Sequence, residues 1–489
     1  MKSEKISVLF ASFEADPFMK TGGLGDVGGS LPAALKKAGA NVRLIMPKFG
    51  TIPEEYRAQM VHVADFTVSL SWRNQYCGIE KLTKNGVVCY FIDNEYYFRR
   101  DKAYGFYDDG ERIAFFAKAV LDCIPHLPGF KPDVIHCNDW HTALTPVFLK
   151  AFHRDDPLYS GIRTVFTIHN LKFQGIYPRS CCGDLLGLSD AQACALGLAY
   201  EDTINYMRGA LCCADRLTTV SPTYAEEICL DFYGENAQDI FRHRKGDLSG
   251  ILNGISYGRY SPRTDKLIDY RYTVKTVQQN KAKNKLQLQA SLGLAQRADV
   301  PMLALISRLT DQKGLDLLVF ILHELMEQDI QLVILGVGDD KYEQAFRAAA
   351  QSMPDKMAAV LTFSEPLSHR IYAAADMVLV PSLFEPCGLT QMIAMSYGAL
   401  PIVRETGGLK DSVIPYNKET GEGTGFSFAN YNAHELLFTA KRAVELYTEK
   451  PDVWHSLVCN AMAQDFSWNA SAEKYMALYR SVLGKESAS

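Results

Sequence analysis

The feature that most restricts the fold of this chain is a recurring alternation of short apolar runs with amphipathic stretches. The first half contains such runs at residues 6–10, 41–46, 133–137, 164–168 and 216–220. The second half repeats the pattern, and we predict strands there at 302–307, 331–335, 358–363, 376–380, 400–404 and 425–428, with a helix at 315–326. This alternation is typical of parallel sheets covered by helices. The sequence therefore predicts an α/β protein with two doubly wound domains.

A chain of 489 residues is too long for one ordinary domain. The turn-rich segment 250–262 lies near mid-chain, so we predict domains at 1–252 and 253–466 and a terminal helical segment at 467–489. Residues 66–70, 78–82 and 87–92 alternate with a period of two, which predicts antiparallel strands inserted at one edge of the first domain. A helix is expected around 112–123, and the polar stretch 264–290 is also expected to be helical.

Composition excludes several classes of function. The formal net charge of -5 gives no support to general binding of nucleic acid or anionic membranes. No apolar run approaches the roughly 18 residues of a spanning helix, and no targeting segment precedes the first strand, so we expect a cytoplasmic protein. None of the 12 cysteines has C-x-x-C spacing, so they are expected to be reduced, mostly buried thiols without a zinc site.

The stretch KTGGLGDVGG at residues 20–29 follows the first strand and leads into a helix that we place from about residue 31. Glycines let backbone N–H groups approach a ligand, and a helix N-terminus favours an anion. Residues 23–28 also match the dinucleotide-binding pattern G-x-G-x-x-G. Two features count against NAD or FAD binding: the lead-in from residue 10 is too long, and the next strand ends in Pro47 and Lys48 without a ribose-binding acid.

Polar residues follow several predicted strands, and ligands bind beyond the carboxyl ends of parallel strands. Asp139 and His141 follow one strand, and His169 and Asn170 follow the next. The tetrapeptide TGGL of residues 21–24 recurs at 406–409, after a late strand of the second domain. We expect these two loops to form the two sides of one site for a phosphorylated ligand.

Two further strand ends carry charged residues. Arg308 and Lys313 bracket a short turn before a helix and could neutralise a diphosphate without a metal. Glu385 lies in the stretch EPCGLT at 385–390, where a carboxylate could bind sugar hydroxyls or simply begin a helix.

Five stretches together carry a family resemblance: KTGGLGD at 20–26, NDWH at 138–141, TIHN at 167–170, SRL and QKG between 307 and 314, and EPCGL at 385–389. In this order, over residues 5 to about 483, the chain resembles bacterial-type glycogen synthases and plant starch synthases. The resemblance implies a GT-B fold, in which two Rossmann-like domains face each other across a cleft and the last helix crosses back to the first domain. It implies transfer of glucose from ADP-glucose to the non-reducing 4-hydroxyl of an α-1,4-glucan, with retention.

The resemblance also implies roles for individual residues. Those expected to take part in catalysis are Arg308, Lys313, Glu385, His169 and Asp139. Those expected to bind substrate are Lys20, Gly22, Gly23, Asp26, Asn170, Asn253, Phe363, Cys387, Gly388, Leu389, Thr390, Thr406, Gly407 and Gly408. Of these, Phe363 would stack on the adenine, and Arg308 and Lys313 would hold the diphosphate.

The chain departs from the family pattern at three positions in the hinge and donor regions. Ile393 stands where many retaining transferases carry a second glutamate, and Ser256 and Tyr260 replace the usual Asp and Trp of the hinge. With Ile393 at that position, Glu385 has no second glutamate beside it. Ser256 and Tyr260 change contacts in the hinge and leave the chemistry unaffected. At the adenine position Phe363 can stack but has no hydroxyl to donate.

We expect no cofactor and no metal, because no carboxylate pair at metal spacing accompanies the phosphate site. Retention through a covalent intermediate would need a carboxylate below the anomeric carbon, and Glu14, Asp16, Asp26, Asp139 and Glu385 are the candidates. We favour a front-face displacement instead. Three alternatives stay open: a GT-B transferase that uses UDP-glucose or another acceptor, a phosphorylase, and a catalytically silent glucan-binding regulator. A homo-oligomer is compatible with the sequence.

Overall fold

The computed structural model describes residues 5–485, which form two compact units. The first unit, called unit 1, runs to Asn253 and takes up the chain again from Trp468. The second, called unit 2, is Gly254–Ser467. No helix among the described residues is both long enough and apolar enough to cross a membrane.

Unit 1 is built on a sheet of nine strands in the order β12-β11-β7-β6-β1-β2-β5-β4-β3. Its strands are β1 (Ser7–Ala11), β2 (Asn41–Pro47), β3 (Val61–Leu70), β4 (Arg73–Lys84), β5 (Val87–Asp93), β6 (Val134–Asn138), β7 (Arg163–Ile168), β11 (Arg216–Thr219) and β12 (Leu248–Gly250). Neighbours are parallel except where β4 joins β5 and β3 joins β4. A separate antiparallel sheet contains β8 (Ile176–Pro178), β9 (Ala199–Tyr200) and β10 (Thr203–Asn205). The predicted antiparallel insertion at one edge is therefore confirmed.

The helices of unit 1 cover the faces of the large sheet. They are α1 (Gly23–Lys37), α2 (Glu54–Arg57), α3 (Glu95–Phe98), α4 (Asp109–Asp122), α5 (Leu144–Phe152), α6 (Cys181–Leu186), α7 (Asp190–Ala195), α8 (Tyr206–Cys213), α9 (Pro222–Glu227), α10 (Gln238–His243) and the terminal α19 (Trp468–Val482). The central parallel strands β1, β2, β6 and β7 are almost wholly buried, as a parallel sheet with two covered faces requires. The antiparallel strands β3 and β4 at the edge are partly exposed.

Unit 2 contains one parallel sheet of six strands in the order β15-β14-β13-β16-β17-β18. The strands are β13 (Met302–Ile306), β14 (Gln331–Leu335), β15 (Met357–Val360), β16 (Met377–Val380), β17 (Leu400–Arg404) and β18 (Phe426–Phe428). The helices are α11 (Val277–Leu292), α12 (Leu315–Met326), α13 (Asp340–Ser352), α14 (Glu365–Ala374), α15 (Thr390–Ser396), α16 (Gly407–Ser412), α17 (Ala433–Glu449) and α18 (Pro451–Met462). The order of the strands reverses between β13 and β16, since β14 and β15 lie on one side of β13 and the later strands lie on the other. Open α/β sheets bind ligands at such a switch point.

Several predicted boundaries are wrong. Helix α1 begins at Gly23, eight positions before residue 31, so most of the glycine-rich stretch is helical. The strand expected at 358–363 ends at Val360, which leaves Phe363 in a loop. Within 264–290 the α-helix begins only at Val277. Local sequence leaves the ends of helices and strands uncertain by a few residues, and tertiary packing decides them.

Helix α19 completes unit 1 by packing on α1 and on the β6 strand. The Tyr479 hydroxyl lies 2.6 Å from Nδ1 of the fully buried His136, whose Nε2 lies 2.7 Å from the Thr167 hydroxyl. Both ring nitrogens of His136 therefore have partners with the imidazole neutral. Burial lowers the pKa of His136 to about 3.

Burial lowers the pKa of two more histidines of unit 1 and raises that of one carboxyl group. Burial lowers the pKa of both His141 and His169 to about 3. Burial raises the pKa of the Asp139 carboxyl to about 8, although nearby backbone N–H groups act in the other direction. Between pH 4 and 6.5 the folded chain thus carries three neutral histidines and one neutral carboxyl.

This pattern predicts a loss of stability on acidification. Below pH 6.5 the unfolded chain binds protons on three histidines that the folded chain leaves neutral. Each such histidine lowers the free energy of unfolding by up to about 1.4 kcal/mol per pH unit until pH approaches 3. Asp139 acts oppositely, because its folded carboxyl keeps a proton between pH 3.8 and 8. We expect the net midpoint of urea unfolding to fall steadily from pH 6.5 to pH 4.

Two variants test the origin of that slope. His141→Phe keeps a ring that can stack where the imidazole does, and we expect it to flatten the pH dependence because one histidine is removed. His323→Gln replaces a surface histidine and should leave the slope unchanged. Equal slopes in the His141→Phe variant and the parent protein would contradict this explanation.

Candidate functional site

In unit 1 the loop between β1 and α1 is organised by the buried carboxylate of Glu14. Its oxygens accept hydrogen bonds from the Thr21 N–H and the Thr21 hydroxyl, both at 2.6 Å, and from the Gly22 N–H at 3.4 Å. The Tyr104 hydroxyl donates to the same carboxylate. A charged acceptor with several donors is strongly held, so Glu14 fixes the backbone just before α1 begins.

The glycines of this stretch have two different roles. Gly22 and Gly23 face open space, because a methyl group at either position would meet no atom within 4 Å. In contrast, a Cβ on Gly28 would lie 2.2 Å from the Glu14 carbonyl oxygen, and one on Gly29 would lie 2.4 Å from that of Asp16. Only the first pair is therefore free to approach a ligand. The later glycines allow α1 to pack against the preceding loop.

Lys20 already has a partner at this end of unit 1. Its ammonium lies 2.6 Å from Asp26, and both side chains are partly exposed. The carboxylates of Glu14 and Asp26 thus occupy donors that we expected to face phosphate. This arrangement weakens the prediction that the 20–29 stretch is by itself an anion site.

Four of the predicted polar residues lie just after the carboxyl ends of β6 and β7: Asp139, His141, His169 and Asn170. Asp139 has a φ of 60°, which turns the chain sharply after β6, and among the described residues its Oδ1 has no hydrogen-bond partner. Backbone N–H groups of His169 and Asn170 lie close enough to lower the pKa of Asp139 against the effect of burial. His169 Nε2 lies 3.0 Å from the Asn138 side-chain oxygen, which fixes its ring.

His141 stands on an aromatic stack beside this cluster. Its ring lies parallel to those of Phe13, with centroids 5.0 Å apart, and Tyr104, with centroids 4.8 Å apart. Because Tyr104 also binds Glu14, the β1–α1 loop and the end of β6 form one connected group. Asn253, predicted from the resemblance, is buried at the end of unit 1, and no described group bonds to its Oδ1.

In unit 2 the loops after β13 and β16 bring two predicted residues into direct contact. Lys313 Nζ lies 2.6 Å from Glu385 Oε2, and the Ser382 hydroxyl donates to the same oxygen at 3.0 Å. Both charged side chains are largely buried. They line a small pocket of about 50 Å³ with Ser307 and with Gly388 to Thr390.

Arg308 and Phe363 are the predicted residues that point away from the protein. Arg308 is exposed, and its guanidinium makes no ion pair or hydrogen bond with any other described side chain. Phe363 is 85% exposed in the loop before α14, a large exposure for an aromatic ring. A free cation and a bare ring at the carboxyl edge of a parallel sheet are suited to a nucleotide.

The loops that carry Glu385 and Thr406 pack backbone against backbone. A Cβ on Gly407, whose φ is 44°, would lie 2.0 Å from the Glu385 carbonyl oxygen, and one on Gly408 would lie 2.0 Å from that of Cys387. These glycines therefore position the Glu385 loop, which differs from the substrate contact predicted for them. The resemblance between 21–24 and 406–409 is not a structural equivalence, since Gly22 and Gly23 have no such contact.

Sequence reasoning missed three residues that support the two clusters. Arg404 donates from Nε to the Ser382 carbonyl at 2.8 Å and also to that of Leu383, which fixes the loop before Glu385. Gln391 donates to the carbonyls of Cys387 and Gly388 at 3.1 and 2.8 Å. Tyr104 lies far from Glu14 in sequence and gave no signal. Of these three residues, only Arg404 could have been predicted from the sequence, because it is a charge at the end of an apolar strand.

Within residues 5–485, neither the cysteines nor the acidic side chains form a metal site or a disulfide. All 12 cysteines are free thiols, and most of them are buried, as predicted. Residues 5–485 contain no group of three or more His, Cys, Asp and Glu side chains that could hold a metal ion.

Comparison with known proteins assigns both units. Residues 7–243 match the model of the starch synthase catalytic domain, and residues 293–455 match that of glycosyl transferases group 1. Glycogen synthases of Desulfitobacterium hafniense and Bacillus cereus are 50% and 49% identical to this chain over 98% of its length. The matches cover 99% and 100% of those proteins.

Solved structures agree with these matches. The catalytic domain of starch synthase IV from Arabidopsis thaliana, bound to ADP and acarbose, has a TM-score of 0.89 and 32% identity over 99% of this chain and 100% of its own. Sucrose-phosphate synthase from Thermosynechococcus elongatus has a TM-score of 0.61 and 18% identity over 99% of this chain and 100% of its own, a likeness of fold alone. The chain therefore belongs to the glycogen synthase and starch synthase family, whose members are GT-B glycosyltransferases.

Proposed function

We propose that this protein is a glycogen synthase that transfers glucose from ADP-glucose to the non-reducing 4-hydroxyl of an α-1,4-glucan with retention of configuration. The observation that carries the proposal is the Lys313–Glu385 pair, which lies with Ser382 at the carboxyl ends of neighbouring strands of unit 2. The near-full-length identity with glycogen synthases supports it. So does the similarity to a starch synthase structure bound to ADP.

In this proposal unit 2 binds the donor. Arg308, which has no competing partner among the described side chains, and Lys313 neutralise the diphosphate. The exposed Phe363 ring stacks on the adenine, and the backbone from Cys387 to Thr390 surrounds the glucose. Gly407 and Gly408 contribute by holding the Glu385 loop, since their backbone contacts it directly, and Thr406 comes immediately before them.

Glu385 is proposed to bind the donor glucose. Its carboxylate is neutralised by Lys313 and accepts a hydrogen bond from Ser382. Asp139, a second buried candidate, has a pKa of about 8 and is mostly protonated at neutral pH. The third, Glu14, already accepts hydrogen bonds from Thr21 and Tyr104. Because Asp139 is held neutral, we favour a front-face displacement, in which the leaving diphosphate takes the proton of the acceptor hydroxyl.

Unit 1 is proposed to supply the acceptor side of the reaction. His169, Asp139 and Asn170 present hydrogen-bonding groups to sugar hydroxyls, while Gly22 and Gly23 leave room for a ligand next to Lys20. Asp26 is then a positioning partner of Lys20. The work of the enzyme is charge stabilisation, orientation and exclusion of water.

Of the two predictions for the donor site, the first concerns the two diphosphate cations. The parent protein should transfer glucose from ADP-glucose to maltooligosaccharide with retained configuration and without inhibition by EDTA. Arg308→Ala and Lys313→Gln should each lower turnover by about 10²–10³-fold, the usual effect of removing one donor that stabilises developing charge. Radiolabel transfer measures the rate, and thermal unfolding checks the fold.

Arg347→Ala is the matched control, because this half-exposed arginine of unit 2 pairs, within residues 5–485, only with the neighbouring Glu343. It should retain normal turnover. Near-normal turnover of either site variant would contradict the diphosphate assignment. Preferred transfer from UDP-glucose by the parent protein would contradict the proposed donor.

The second prediction concerns Phe363. Phe363→Ala should raise the KM for ADP-glucose at least about threefold and leave kcat less affected, because stacking on the base is lost while the diphosphate site is intact. Phe320→Ala removes another exposed ring of unit 2 and serves as the control. An unchanged KM in Phe363→Ala would show that this ring does not contact the nucleotide.

A further inference from the structure

The end of the β3–β4 ribbon in unit 1 carries two exposed aromatic rings that the proposed reaction does not use. These strands are the outermost pair of the nine-stranded sheet and are joined by a turn at Ser71 and Trp72. Trp72 is 69% exposed and Tyr76 is 53% exposed. Single exposed aromatics are common, and these two differ from them in how firmly each ring is held.

Trp72 is fixed in one orientation. Its indole N–H donates to Asp184 Oδ1 at 2.8 Å, and the Arg73 guanidinium lies over the ring, with Cζ 4.3 Å from the centroid. Arg73 is itself held by Asp184 at 3.0 Å and by Glu111 at 3.1 Å. One ring face is therefore covered by a neutralised cation, and the exposed area belongs to the rest of the ring.

Tyr76 is fixed in a different way. Its hydroxyl donates to Asp65 Oδ1 at 2.6 Å across the ribbon. Its side chain lies over Gly78, where a Cβ would come within 2.5 Å of the Tyr76 hydroxyl oxygen. The missing side chain at Gly78 thus lets the tyrosine lie along the strand and leaves half of its surface open to solvent.

The surface between the two rings is polar. Ser69 pairs with Asn74 across the ribbon and donates to its side-chain oxygen at 2.7 Å, and Thr67 pairs with Tyr76. Thr67, Ser69 and Asn74 are all exposed. At the rise of a strand, Trp72 and Tyr76 lie about 10–14 Å apart along the ribbon. The result is a short row of two immobilised rings with hydroxyl and amide groups between them.

This chemistry selects a carbohydrate over other ligands. A pyranose has apolar C–H faces that stack on aromatic rings and hydroxyls that bond to amides and hydroxyls. Nucleic acid is disfavoured because Arg73 is already neutralised by two acids. A stable protein interface needs about 800 Å² on each partner and a large apolar centre, which two rings in a polar row do not supply.

We propose that the end of the β3–β4 ribbon, with Trp72 and Tyr76 as stacking rings, is a secondary binding site for α-1,4-glucan. The proposal rests on the proposed function, because a polymeric acceptor offers chains that reach a second site. Holding the polymer at this site raises the effective concentration of its chain ends for the transfer reaction. A short oligosaccharide gains nothing from it.

The test compares polymer with oligomer. Trp72→Ala, Tyr76→Ala and the double variant should bind glycogen at least about fivefold more weakly in affinity electrophoresis. Their KM for glycogen should rise to a similar extent, while kcat and KM with maltotriose stay normal. Tyr107→Ala, which removes another exposed ring of unit 1, should behave like the parent protein. Trp72→Phe keeps a stacking face and should bind better than Trp72→Ala.

Three outcomes would overturn this inference. Unchanged glycogen binding in the double variant would exclude the site. An equal loss with maltotriose and glycogen would assign the two rings a structural role. A lower molecular mass of the variants in sedimentation would assign the surface to contacts between copies of the chain. Failure of the proposed function is separate, since then the parent protein itself transfers no glucose from ADP-glucose.

Discussion

The ion pair between Lys313 and Glu385 is the interaction on which the candidate donor site depends. Each charge is largely removed from water, and a buried charge without a partner is strongly destabilising. The two residues lie 72 positions apart and meet only because β13 and β16 are neighbours in the sheet. The ion pair therefore depends on the strand order of the parallel sheet, which brings the two loops together around the pocket that they line.

The surroundings of that pair explain several residues at once. Gly407 and Gly408 bring the loop after β17 against the backbone of the Glu385 loop, and Arg404 bonds to the carbonyls before Glu385. Gln391 fixes the turn at Gly388 from the other side. An anion that draws Lys313 away from Glu385 would leave that carboxylate free to bind a sugar hydroxyl. We regard this exchange as the central step of donor binding.

Sequence reasoning located the elements better than it located the contacts. Helix α12 was predicted at the bounds observed, because a long apolar stripe leaves little choice of length. The start of α1 was wrong because glycines carry no side-chain signal for where a helix begins. The residues Lys313 and Glu385 could be selected as charges at strand ends, but their mutual contact depends on strand order. Glu14 and Tyr104 form a second such pair, and nothing in either local sequence indicates it.

The exchange of partners at Lys313 can be tested most directly by calorimetric titration of ADP into the Glu385→Gln variant. Removing the carboxylate charge frees Lys313 and removes a repulsion of the diphosphate, so ADP should bind more tightly than to the parent protein while glucose transfer falls. Glu324→Gln, which breaks an exposed ion pair of unit 2, should leave the affinity for ADP unchanged. Weaker or unchanged binding of ADP by Glu385→Gln would contradict the account.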